Sequence, residues 1–69
     1  MGYLRRIWKN KKTNQYVDSD LRDCERTNLA YDTETKVIYY FFEDHMSPLI
    51  SENGRFCRWF GNEIVEIIN

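Results

Sequence analysis

From Val37 to Phe42 the chain reads VIYYFF, an unbroken apolar run in which alternation along a strand sends Val37, Tyr39 and Phe41 one way and Ile38, Tyr40 and Phe42 the other. Neither side is polar, so a strand here needs cover on both faces. Thr27 to Tyr31 supplies its hairpin partner, across a polar turn, Asp32-Thr33-Glu34-Thr35, whose aspartate can accept backbone N–H groups. Leu4 to Lys9 alternates Leu4, Arg6 and Trp8 against Arg5, Ile7 and Lys9, as in an edge strand. The turn-prone Asn10 to Asn14 then leads into Gln15-Tyr16-Val17, predicting a first hairpin. Between the hairpins, Asp18 or Ser19 can cap a single helical turn near residues 19–25 with Leu21 and Cys24 on one side.

Downstream, Asp44 to Ser47 breaks the pattern, and Pro48 restricts Leu49-Ile50 to a short edge arm. Asn53-Gly54 predicts a tight turn with positive φ at both positions, and the alternating Arg55 to Phe60 follows it. After the break at Gly61-Asn62, Ile64, Ile67 and Ile68 fit a helical stripe, but the β-branched content favours a strand. The whole predicts an all-β fold, a single small β domain over residues 1–69. Its form is a small antiparallel meander of five to six short strands, as a strongly twisted sheet or a partly open barrel.

Composition sharpens one point. A 69-residue chain buries only about 60% of the surface it exposes when unfolded, so an apolar surplus has consequences. Here 42% of residues are hydrophobic and 16% aromatic, far from a disordered profile. One sheet hides one face by itself. The other must be covered by a second copy in a homodimer, by curling of the sheet, or by a partner protein. The expected protein-binding residues are the aromatics Tyr40, Phe42 and Trp59, with the acidic Asp18, Asp20 and Asp23 facing a basic partner. No apolar run approaches the roughly 20 residues of a membrane span, and the segment after Met1 lacks the apolar core of a signal peptide. The expected location is therefore the cytoplasm.

Charge is uneven although the net value is only −1: Arg5, Arg6, Lys9, Lys11 and Lys12 all precede the first acid. With Trp8 for stacking, these five cations form the alternative nucleic-acid-binding surface. A solvated strand whose lysines discourage sheet-to-sheet pairing is the plainer account, and the acidic pI near 5.7 favours it. A third reading is a small ligand such as a nucleotide in an aromatic crevice at a dimer seam.

Candidate chemistry is sparse. His45 stands beside Asp44 and Glu43, but no serine or cysteine is placed by sequence as its nucleophile, so a solvated loop is the simpler account. Alternation puts Cys57 inward beside Trp59 as a packing thiol, and Cys24, between Asp23 and Glu25, makes a poor nucleophile. A bridge between the two cysteines is the alternative to free thiols. One histidine and two distant cysteines make no zinc site, and Asp18-x-Asp20 lacks the glycine and terminal glutamate of a calcium loop. Neither a metal nor a cofactor is expected, and no catalytic residue is assigned.

The order AYDTETKVIYYFF, a gap, then MSPLISENGRF resembles a family of short bacterial and phage-encoded β-sheet proteins known only as a domain of unknown function. Asp32, Thr35, Val37, Tyr39, Pro48, Leu49 and Gly54 stand at matching places over residues 30–58, while Lys36 occupies a position where the family usually has glycine. The resemblance implies a small β fold of bacterial or mobile-element origin. The function expected is a non-enzymatic interaction module, a phage or prophage accessory protein that binds and inhibits a host protein.

Overall fold

The computed structural model describes residues 2–68, and among them strands are the only regular elements. They are β1 (Leu4–Asn10), β2 (Tyr16–Val17), β3 (Cys24–Asp32), β4 (Ile38–Phe42), β5 (His45–Pro48), β6 (Cys57–Phe60) and β7 (Glu63–Glu66). Five form an antiparallel sheet in the order β2-β1-β3-β4-β5, and β6 with β7 forms a separate hairpin. The fold is all-β as its patterning predicts, and residues 63–66 form a strand, with one more strand than the expected maximum.

Three local expectations are corrected. Residues 19–25 hold no helical turn: Leu21 N–H donates to the Ser19 carbonyl at 2.9 Å, Cys24 N–H to that of Leu21 at 3.1 Å, and Asp23 is left-handed at φ 67°. The Asp18 carboxylate that would cap such a turn instead accepts the Tyr31 hydroxyl at 2.9 Å. Strand β1 is not at the edge but between β2 and β3, although β2 pairs only with Trp8 and Lys9. In the Asn53-Gly54 turn only the glycine has positive φ, at 75°.

Two hairpin loops are built alike. Asn10 N–H donates to the Gln15 carbonyl and Asn14 N–H to that of Asn10, both at 2.8 Å, while Asn10 Oδ1 accepts the Lys12 and Thr13 amides at 2.9 and 3.1 Å. Asp32 repeats the scheme: its N–H donates to the Val37 carbonyl at 3.0 Å, Lys36 N–H donates to the Asp32 carbonyl at 2.8 Å, and Asp32 Oδ1 takes the Glu34 and Thr35 amides at 2.8 and 3.1 Å. Each loop ends left-handed, at Asn14 (φ 62°) and at Lys36 (φ 70°). Lys36 thus adopts the conformation that glycine would take without strain.

Between β1 and β3 the pairing jumps from Arg6↔Ala30 to Trp8↔Arg26, so that Thr27, Asn28 and Leu29 stand opposite Ile7 alone. The Thr27 hydroxyl donates to the Ile7 carbonyl and accepts the Leu29 amide at 3.1 Å, and the Arg6 guanidinium donates to the Thr27 carbonyl at 2.8 Å. Side chains thereby satisfy the backbone groups that the bulge takes out of the ladder.

The arrangement of β4 decides the rest. One edge carries β3; the other is divided between β5, which pairs with Tyr39 to Phe42, and β6, which meets it through the Val37↔Arg58 bridge and the 2.8 Å bond from Trp59 N–H to the Lys36 carbonyl. That division rolls the β6–β7 hairpin over one face of the large sheet until β7 lies against β2. No ladder joins those two strands, so the sheet curls without closing into a barrel. Ile7, Tyr31 and Ile38 from the sheet meet Cys57 and Trp59 from the hairpin in the core, with Leu29, Leu49, Tyr16 and Ile64 at its margin. The indole of Trp59 stacks on the Tyr31 ring. Both cysteines are free thiols, so no bridge ties β3 to β6.

Candidate interaction surface

Alternation and cross-strand pairing assign every strand residue to the inner side, toward the hairpin, or to the outer side. Ile38, Tyr40 and Phe42 point inward, opposite Tyr31, Leu29 and His45 in the neighbouring strands. The hairpin meets β4 only at its Val37 end, so cover runs out along the strand: Ile38 is 0% exposed, Tyr40 38% and Phe42 56%. Two aromatic rings therefore stand at an open mouth of the rolled sheet. Trp59, expected beside them on a binding surface, is 4% exposed and belongs to the core. Its strand enters the roll where Lys36 and Val37 anchor it, which turns the indole onto Tyr31.

The three acids do not act as one patch. Asp18 holds the Tyr31 hydroxyl, Asp23 sits 3.6 Å from the Lys12 ammonium, and Asp20 alone of the three is exposed, the other two being half-buried. The anionic Asp18 and burial raise the Tyr31 phenol above its usual value of 10.0, burial being the larger cause.

Nor do the cations of the first hairpin share a face. Arg5 and Lys9 lie on the inner side, where Arg5 Nε donates to the Asp18 carbonyl at 3.1 Å and the Lys9 ammonium lies 5.6 Å from the centre of the Tyr16 ring. Arg6 and Trp8 lie on the outer side, Arg6 bonded to Thr27 and Trp8 beneath the Arg26 guanidinium. Lys11 and Lys12 belong to the exposed loop, and Lys12 is the partner of Asp23. The structure thus separates the residues that the sequence groups as a nucleic-acid surface.

Cys57 is buried, and desolvation, with Glu66 nearby, pushes its thiol up from 9.0, which keeps it protonated and unreactive. His45, Asp44 and Glu43 are exposed around the β4–β5 turn. Among the described residues no group of three or more His, Cys, Asp or Glu could hold a metal ion, and no helix is long and apolar enough to cross a membrane.

One surface was not anticipated. On the outer side the pairs Tyr39↔Pro48, Phe41↔Met46 and Ile50↔Phe56 line up into a continuous apolar strip, in which Met46, Ile50 and Phe56 are about half exposed. The alternation Met46, Pro48, Ile50 would have shown it, had Glu43-Asp44 been recognised as a two-residue hairpin turn. Beside the strip a shallow depression of about 350 Å³ is lined by Gly54, Arg55, Phe56 and Ile67. Comparison with protein-family models, curated proteins and solved structures found no match to this chain.

Proposed function

We propose that the chain is a non-enzymatic interaction module, a phage-type accessory protein that binds and inhibits a host protein by receiving a segment of it at the mouth formed by Tyr40 and Phe42. One observation carries this reading: a single strand face passes from fully buried at Ile38 to half open at Phe42. An aromatic side chain buries roughly 150–250 Å² when enclosed, so a partner that closes over both rings gains at most on the order of 4–6 kcal/mol from their remaining exposure. Partly enclosed aromatics at the rim of a rigid core are the type of anchor that dominates protein interfaces. The resemblance of residues 30–58 to short bacterial and phage-encoded proteins supplies the host, a bacterial cell, and two free thiols suit its reducing cytoplasm.

The test is affinity capture from bacterial lysate with the wild-type chain and with Tyr40→Ala/Phe42→Ala. One dominant protein retained by the wild type and lost from the double variant supports the proposal. Background alone, or equal retention by both, overturns it.

A further inference from the structure

On the outer side, away from the mouth, the apolar strip follows β4 for about 20 Å between Val37 and Glu43, at roughly 3.3 Å per residue. Its ends are charged and opposite in sign. At the Val37 end stands Arg58, placed on the same face by the Val37↔Arg58 bridge and two residues after Phe56, which precedes β6. At the other end, immediately past Phe41 and Met46, the β4–β5 turn carries Glu43 and Asp44. All three are exposed, and none has an ion-pair partner among the described residues. The other outer cation flanking the strip, Arg6, lies one strand beyond Tyr39 across Ala30 and is held by the Thr27 carbonyl.

A strip that is positive at one end, negative at the other and apolar between is complementary to itself when rotated by half a turn. We infer that the outer face of β4 and β5 docks a second copy of this chain about a two-fold axis near Tyr39 and Pro48, setting Arg58 of each copy against Glu43 and Asp44 of the other. In an isologous contact every pairing occurs twice, so two cation–anion contacts flank a centre where Phe41, Met46, Ile50 and Phe56 meet their counterparts. A uniformly charged partner would satisfy one end and be repelled at the other; the second copy satisfies both. The footprint, on the order of 20 by 15 Å, falls below the roughly 800 Å² per partner typical of stable complexes. The dimer is accordingly weak and concentration-dependent, and it leaves the mouth at Tyr40 and Phe42 free.

Sedimentation equilibrium from about 1 µM to about 1 mM tests this with charge exchange. Arg58→Glu alone, and Glu43→Lys/Asp44→Lys alone, should each weaken dimerisation at least about tenfold, since each places like charges together at both ends. Combining all three substitutions should restore the wild-type association to within about threefold, because the exchanged charges again meet opposites. Thermal melts of the dilute proteins establish that each variant is folded. A monomer across the whole range overturns the inference, as does a dimer indifferent to the reversals or one that the combined variant fails to restore. A wild-type chain that stays monomeric and instead captures a host protein, lost on Met46→Asp, would assign the strip to that partner and equally overturn it.

Discussion

Tyr31 and Trp59 stack with 5.5 Å between their ring centroids and 15° between their planes, which joins the middle of the large sheet to the hairpin that covers it. The pair sits where three devices converge: the Asp18 carboxylate on the phenol, the Lys36 ammonium 5.4 Å from the phenol ring's centre, and the Lys36 carbonyl on the Trp59 amide. Truncating a buried tryptophan costs about 3–5 kcal/mol, comparable with the whole stability of a marginal small domain. Trp59→Ala should abolish the cooperative urea transition and collapse the spread of methyl resonances, whereas Trp59→Phe, which keeps a ring over Tyr31, should unfold cooperatively at lower urea.

The left-handed residues make opposite expectations for opposite substitutions. Lys36→Gly removes a side chain from φ 70° and, after the loss of its contact with the Tyr31 ring, should stabilise by roughly 0.5–1 kcal/mol. Gly54→Ala meets no atom within 4 Å of the new Cβ, yet φ 75° should make it destabilising by about 1 kcal/mol. Denaturant midpoints measure both. Equal signs would refute the backbone account.

Acid should loosen the second hairpin through Asp32. The Thr35 amide, and after it that of Glu34, holds its carboxyl below the ordinary 3.8. A lowered folded pKa gives stability that is present above 3.8 and lost as pH falls through the folded value. Melting temperatures of the wild type should therefore decline below about pH 4 more steeply than those of Asp32→Asn. The first hairpin already carries its own control, since Asn10 accepts the same pair of amides with a neutral side chain.

Alkali should act through Tyr31. Its folded pKa lies above 10.0, chiefly through burial and then through Asp18, so its contribution is complete below 10.0 and disappears as pH rises through the folded value. Tyr31→Phe should lower stability near neutrality by about 1 kcal/mol, the usual worth of a hydrogen bond, and should flatten the decline above about pH 10 seen in the wild type.

How far these features could be read in advance follows from particular residues. Asp32, Asn53-Gly54 and Gly61-Asn62 carry recognisable turn chemistry, and each marks a real chain reversal. Glu43-Asp44 carries no glycine or asparagine for its left-handed position: a glutamate at φ 54° makes a two-residue turn as tight as that at Gly61-Asn62, and without that signal β5 is not legible. Trp59 alternates as a strand residue on either a core or a binding face, and only the anchoring of β6 to Lys36 and Val37, a long-range event, decides between them. The inner placement of Tyr40 and Phe42 follows from period two. Their exposure does not, because it depends on how far along β4 the hairpin reaches.

The twin loops show a pattern that sequence reading can use elsewhere. NKKTNQ and DTETKV share a side-chain acceptor at the first position and a threonine at the fourth, whose hydroxyl accepts the amide two residues later at 3.3 Å (Gln15) and 3.2 Å (Val37). That spacing specifies a left-handed fifth residue whether it is asparagine or lysine.

Leu49 N–H donates inward to the Ile38 carbonyl, so the alternation of the β4–β5 ladder turns the nitrogen of Pro48 toward open solvent. A proline nitrogen has no hydrogen to offer an incoming strand. Edge-to-edge addition of rolled sheets into a growing fibre is thereby starved of a donor at its seam.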